Sequence, residues 1–294
     1  MMKSLLHSII LELLAVNTTA IPAHRGDHTH ALFLDLVRQV DVELSSRLHD
    51  EPEYRPFTVS VLHGARVNDG MQLLQAGQMY RLRLTLLDGG GLWQCLSAHF
   101  LETNALNLHL DKAQFQLARV LSTPAADAAG WAGYSSWQAL AATPPSKLIT
   151  MRFASPCAFS MGNRQFALFP EPILLWDSLV RTWNRYVPEI LRVDKLALRD
   201  FVTRQVAVSD YDLHTARSSF STHVQKGFMG SCTYQLQTEE GYASQVAALA
   251  EFARYAGVGS KTTSGMGQAR WEKEVSGASG RGVNEALPLS PLSS

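Results

Sequence analysis

Residues whose types and spacing could do chemistry gather in three stretches of this 294-residue chain. The first is residues 257–267, GVGSKTTSGMG. Gly257, Gly259, Gly265 and Gly267 admit positive φ and close backbone approach. Lys261 adds a positive charge, and Ser260, Thr262, Thr263 and Ser264 add hydroxyl donors, so amides and side chains together could grip phosphate oxygens. The spacing is not that of a nucleotide-binding P-loop, and the segment follows a helix instead of opening one. The plain alternative is a long flexible turn. The second stretch, residues 225–231 (QKGFMGS), is expected to join two central strands, with Lys226, Gly227 and Gly230 near a bound backbone; here the alternative is a glycine-shaped hairpin.

The third stretch is rich in histidine. His24, His28 and His30 share a polar loop with Arg25 and Asp27, and His49 follows in RLHDEPEYRPF, a loop constrained by Pro52 and Pro56. An imidazole titrates near 6.5 unperturbed, which suits it to proton transfer in either direction. A zinc site at His24, His28 and His30 is a weak alternative, because no glutamate or cysteine stands at a recognised ligand spacing. No metal or cofactor is expected. Cys95, Cys157 and Cys232 are odd in number and widely spaced, against a disulfide framework and in keeping with a reducing cytoplasm.

The elements that must position these residues follow from periodicity. A first strand is expected over 5–16, then a helix over 31–48 in which Phe33, Leu36, Val37, Val40 and Leu44 recur at three- and four-residue intervals. Strands follow at 57–62 and 80–87 around an Asn68-Asp69-Gly70 turn, then a stop at Gly89, Gly90 and Gly91, a helix over 92–106 and a strand over 115–121. A Pro/Ala/Gly-rich stretch at 123–145 carries Trp131, Tyr134, Trp137 and Leu140, so part of it should pack. The pattern then repeats: strand 148–158, helix 172–186, a less regular stretch, strands around 211–220 and 232–236, helix 243–255 and strand 268–275. The economical account is an α+β protein of two tandem ferredoxin-like (βαββαβ, RRM-like) domains, at 1–122 and 147–275, with a partly packed linker at 123–146 and a flexible tail at 276–294.

An apolar content of 46% can fill two cores, and no stretch is apolar for long enough to span a bilayer. The opening residues lack the pattern of an export signal and continue as a strand. Lys and Arg together number 26, as do Asp and Glu, so any nucleic-acid site must be a local patch offset by acidic surface elsewhere.

Lys226-Gly227-Phe228-Met229-Gly230, the 257–267 segment, and Phe153-Ala154-Ser155-Pro156 followed by Phe169-Pro170-Glu171-Pro172 and a helix with Trp176, Leu179 and Trp183 together resemble the Cas6 family of CRISPR repeat endoribonucleases, over roughly residues 5–275. The resemblance implies cleavage of CRISPR precursor RNA within its repeat, without metal, by attack of a ribose 2′-OH to leave a cyclic phosphate and a 5′-OH. The alternative it leaves open is a non-cleaving, repeat-binding subunit of an effector complex. It also implies His49 as general base or acid, Arg55 as the phosphate-stabilising cation and Tyr54 as an orienting group, with Arg25, His28 or His30 supplying the other proton transfer. Arg25, Lys226, Gly227, Gly230, Gly257, Gly259, Lys261, Thr262, Ser264, Gly265 and Gly267 are the expected RNA contacts. Repeat RNA is the expected partner, other CRISPR effector subunits and a second copy of the chain are further ones, and no membrane is expected.

Overall fold

The computed structural model describes residues 5–51, 54–87, 91–102 and 106–273. Gly89, Gly90, Pro52, the end of the last expected strand and the expected tail lie outside them. The first half runs β1 (Leu5–Ala15), β2 (Thr19–Pro22), α1 (Gly26–Arg38), α2 (Val42–Asp50), β3 (Phe57–Val59), β4 (Arg66–Asn68), β5 (Met71–Leu74), β6 (Met79–Leu86), α3 (Gly91–Glu102), β7 (Asn107–Leu110) and β8 (Ala113–Leu121). The second runs β9 (Gly133–Ser136), α4 (Trp137–Ala141), β10 (Leu148–Cys157), β11 (Phe159–Ser160), β12 (Phe166–Ala167), α5 (Pro172–Tyr186), α6 (Lys195–Gln205), β13 (Val206–Ser219), β14 (Val224–Leu236), α7 (Ala243–Ala256) and β15 (Ala269–Glu272).

Beside the small sheets β2-β5-β4 and β11-β12, two main antiparallel sheets result among the described residues, ordered β3-β6-β1-β8-β7 and β13-β14-β10-β15. In each, the first strand of its βαββαβ unit is central, flanked by the third and fourth, which is the ferredoxin-like arrangement. β1 is apolar because it is covered on both faces. Its one buried acid, Glu12, lies in register with Arg81 and Arg119 and pairs with both, at 2.8 and 2.6 Å. Phe33, Leu36, Phe57, Leu82 and Phe115 fill the first core, and Trp176, Trp183, Phe228 and Phe252 the second.

Four expectations change. The helix expected over 31–48 is two helices, because Asp41 accepts a 2.8 Å hydrogen bond from the Leu44 amide and starts α2 afresh. α1 also begins earlier, at Gly26, so His28 and His30 belong to its first turns and not to a loop. The less regular stretch contains α6, which Asp194 caps through the Leu196 and Ala197 amides; only Leu198 and Val202 of this helix are buried, which leaves a thin periodic signal. Finally, the 225–231 tract does not join strands. It lies inside β14, and the turn of the β13–β14 hairpin is residues 220–223.

The β9–α4 segment packs against both halves. β9 extends the first sheet by pairing with β1, while Trp137 enters the second core against Trp183 and Phe252, 5.2 and 5.4 Å away between ring centres. Arg83 bolts the two halves together. From β6 it donates to the Ser8 hydroxyl at 3.0 Å and to Gln268 and the Arg254 carbonyl of the second half, with its guanidinium 4.7 Å from the Trp131 ring centre. Burial lowers its pKa to about 9.

Candidate functional site

The 257–267 loop leaves α7 at Gly257 (φ 66°) and turns back through Gly265 (φ 84°) and Gly267 (φ 74°) to β15. It is docked, not loose. The Gly265 amide donates to the Val59 carbonyl at 2.9 Å, so the loop adds to the free edge of β3 and joins the two halves. The Gly259 amide donates to the Ser178 hydroxyl at 3.0 Å and the Gly267 amide to the Pro156 carbonyl at 3.0 Å. The four glycines therefore meet backbone or packed side chains, and a Cβ at Gly259 would strike the Ala158 carbonyl. They shape the loop while its outer arc does the presenting. There the amides of Lys261, Thr262 and Thr263 have no acceptor among the described residues. Lys261 itself holds φ 58°, a left-handed conformation costly for a residue with a side chain.

α1 begins against this loop. Gly26 lies so close to the Ser264 carbonyl that any Cβ would collide with it. That contact brings His30 beneath the loop, where its Nδ1 lies 2.8 Å from the Thr263 carbonyl. A carbonyl only accepts, so Nδ1 carries the proton and Nε2 keeps its lone pair. The ring leans on Phe57 at 5.6 Å. Burial lowers the His30 pKa; the Thr263 carbonyl opposes this, and the charges of Arg55 and His49 reinforce it. His30 is thus a half-buried imidazole whose charged form is disfavoured by its burial.

His49 is exposed in the last turn of α2, not past the helix. Arg55 donates to the His49 carbonyl at 3.4 Å, and its own amide receives the Tyr186 hydroxyl of α5 as acceptor at 3.1 Å. Its Nε is buried with no acceptor among the described residues. Tyr54 stacks under Arg47, whose guanidinium lies 4.7 Å from the ring centre. No recorded side-chain contact ties His28 to the group.

The remaining expected contacts divide. Arg25 is held by Asp27 through two hydrogen bonds of 2.9 and 3.0 Å, and Asp27 also accepts from the Ser221 amide, latching the hairpin turn to α1. Arg25 is thereby a structural partner and not a spare cation. Gly227 and Gly230 are buried inside β14: a Cβ on the first would meet the Cys157 backbone and on the second the Asp212 carbonyl. Lys226 does face solvent, opposite Arg217 of β13. Three residues that sequence reasoning passed over, Phe220, His223 and Tyr186, join the site. The first two flank a Ser-Thr turn that the misplaced hairpin concealed. No group of three or more metal-ligating side chains occurs among the described residues, and no helix among them is long and apolar enough to cross a membrane. Burial raises the Cys232 thiol to about 11 and pushes Cys157 higher still, so neither is a ready nucleophile.

Known proteins resemble this chain along most of its length. Residues 5–142 match the family description "CRISPR Cas6 N-terminal domain", and residues 151–269 match "CRISPR-associated endoribonuclease Cas6". A CRISPR-associated endoribonuclease Cas6 of Streptococcus thermophilus is 30% identical over 124 residues, 41% of this chain and 49% of that protein. The match spans about half the length of such curated relatives or less. Among solved structures, Thermus thermophilus Cas6 is 30% identical with a TM-score of 0.68, covering 92% of this chain and 99% of that one. A Cas6 product complex is 29% identical with a TM-score of 0.74, covering 91% and 100%.

Proposed function

The chain belongs to the Cas6 family, and on that premise we propose that it cuts CRISPR precursor transcripts within the repeat, by 2′-OH attack and without a metal ion. The observation that carries this reading is the His30–Thr263 hydrogen bond, which orients the imidazole directly under a loop arc of open amides. His30 Nε2 takes the 2′-OH proton. O2′ then bonds to phosphorus, the P–O5′ bond breaks, and His49 protonates the departing oxygen, leaving a 2′,3′-cyclic phosphate and a 5′-OH. Arg55 and the Lys261, Thr262 and Thr263 amides hold the non-bridging oxygens as negative charge builds. Lys226 extends the basic track along the strand. Tyr54 supports this arrangement through Arg47, and His28 stands by as a lesser candidate for proton transfer.

Incubation of the protein with repeat RNA from its host's own array tests the reading. Cutting that survives EDTA, stops with a 2′-deoxy sugar at the cut and fails in His30→Ala is expected. Tight binding with no cutting would make the chain a repeat-binding subunit instead.

A further inference from the structure

Beside the proposed cleavage site, the turn of the β13–β14 hairpin carries a flat aromatic construction that this chemistry does not use. Phe220 and His223 stack with ring centres 5.1 Å apart and planes 20° from parallel. Lys261 Nζ lies 3.8 Å from the Phe220 ring centre and 2.6 Å from His223 Nε2, while His223 Nδ1 lies 2.9 Å from the Thr222 hydroxyl. Both ring nitrogens of His223 are therefore engaged by polar partners. The Lys261 ammonium donates to Nε2, so Nδ1 carries the proton and donates to Thr222. A ring tethered at its edge cannot swing, yet His223 is exposed, so its outward face stays open. The turn is itself immobilised, since Asp27 accepts from the Ser221 amide and Arg25 bridges to Ser219.

A rigid, open π face one residue's reach from free backbone amides is what a single strand of nucleic acid requires: phosphate on the amides, base on the ring. We propose that Phe220 and His223 form a stacking platform for one unpaired nucleobase of the bound RNA, next to the phosphate seated on the Lys261–Thr263 arc. This rests on the reading of the chain as an RNA-binding protein and adds a specificity element to it. Lys261 couples the two parts, as it touches both aromatic rings and begins the arc. Stacking is tolerant of base identity, so the platform selects for an unpaired nucleotide at one position and not for a sequence.

The test uses the full chain and repeat RNA carrying a 2′-deoxy sugar at the cut, with 2-aminopurine placed at successive positions. One position is expected to lose fluorescence on binding to wild-type protein. His223→Ala abolishes that quenching and weakens binding roughly 5- to 100-fold, whereas His223→Phe, which keeps a flat ring, retains the quenching. Phe220→Leu, which keeps apolar bulk without a ring to back the stack, reduces it. If wild type binds this RNA and cuts its all-ribose counterpart but no position shows quenching that depends on residue 223, the platform is wrong and the nuclease reading stands. If wild type binds no repeat RNA, both fall together.

Discussion

The two glycine tracts of this chain have similar composition and opposite uses. In 225–231 the glycines are buried within a paired strand, where Gly230 (φ 120°) passes the Asp212 carbonyl and Gly227 lies beside a register break in β10. In 257–267 the glycines are also pressed against neighbours, but they bend the chain so that a non-glycine arc is thrust outward. Glycine content marks close backbone approach in both cases. What separates a structural approach from a ligand-presenting one is whether the intervening amides are already spent, and in the second tract those of Lys261, Thr262 and Thr263 have no acceptor among the described residues.

The largest effect expected from breaking this comparison is chemical. His30→Ala should lower the single-turnover cleavage rate roughly 100- to 10,000-fold while repeat affinity by filter binding stays within a few-fold; equal loss of both would mean that His30 merely holds the loop in place. Next comes Gly230→Ala, which forces a side chain into a left-handed position against a carbonyl and should cost about 1–3 kcal/mol in urea denaturation. RNA affinity per folded molecule should not change, because that glycine touches no ligand. Lys261→Gly relieves φ 58° but loses the Lys261 contacts to Phe220 and His223, so stability should stay within about 1 kcal/mol of wild type, yet it weakens binding and lowers the salt dependence of affinity by about one charge.

Two smaller effects depend on pH. Since the His30 pKa is lowered, the acid limb of the pH–rate profile should lie below the usual imidazole value of about 6.5. Arg55→Gln removes a positive neighbour and should move that limb upward; an unmoved limb would assign it to another group. For stability, His7 and His63 are both pushed down to about 4 by burial. Their folded-state values lie below the unfolded one, so their contribution is complete above about pH 6.5 and is lost as pH falls toward 4. Thermal unfolding across that window should show the loss, and His7→Phe, which keeps the 5.0 Å stacking on Trp93, should blunt it.

Some of this was legible in particular residues. The period of Phe33, Leu36 and Val37 marked α1, and the apolar run from Leu5 marked a central strand, because both signals come from burial on one or two faces of a single element. The break at Asp41 was missed, since Val40 and Leu44 continue the spacing and only a capping hydrogen bond shows that the helix restarts. His49 drew attention through its proline-bounded loop. His30 looked like one of three equivalent histidines until the fold placed Thr263, 233 positions later, against its ring.

The sequence by itself determined the two repeated units, their apolar faces and the presence of a glycine-bent segment rich in hydroxyls near the end, because each depends on local spacing and backbone freedom. Tertiary structure alone decided which histidine lies under the loop and which glycine tract keeps open amides. Those properties depend on burial, charge and hydrogen-bond partners supplied by the other half of the chain, and no local pattern records a partner that arrives from that far away.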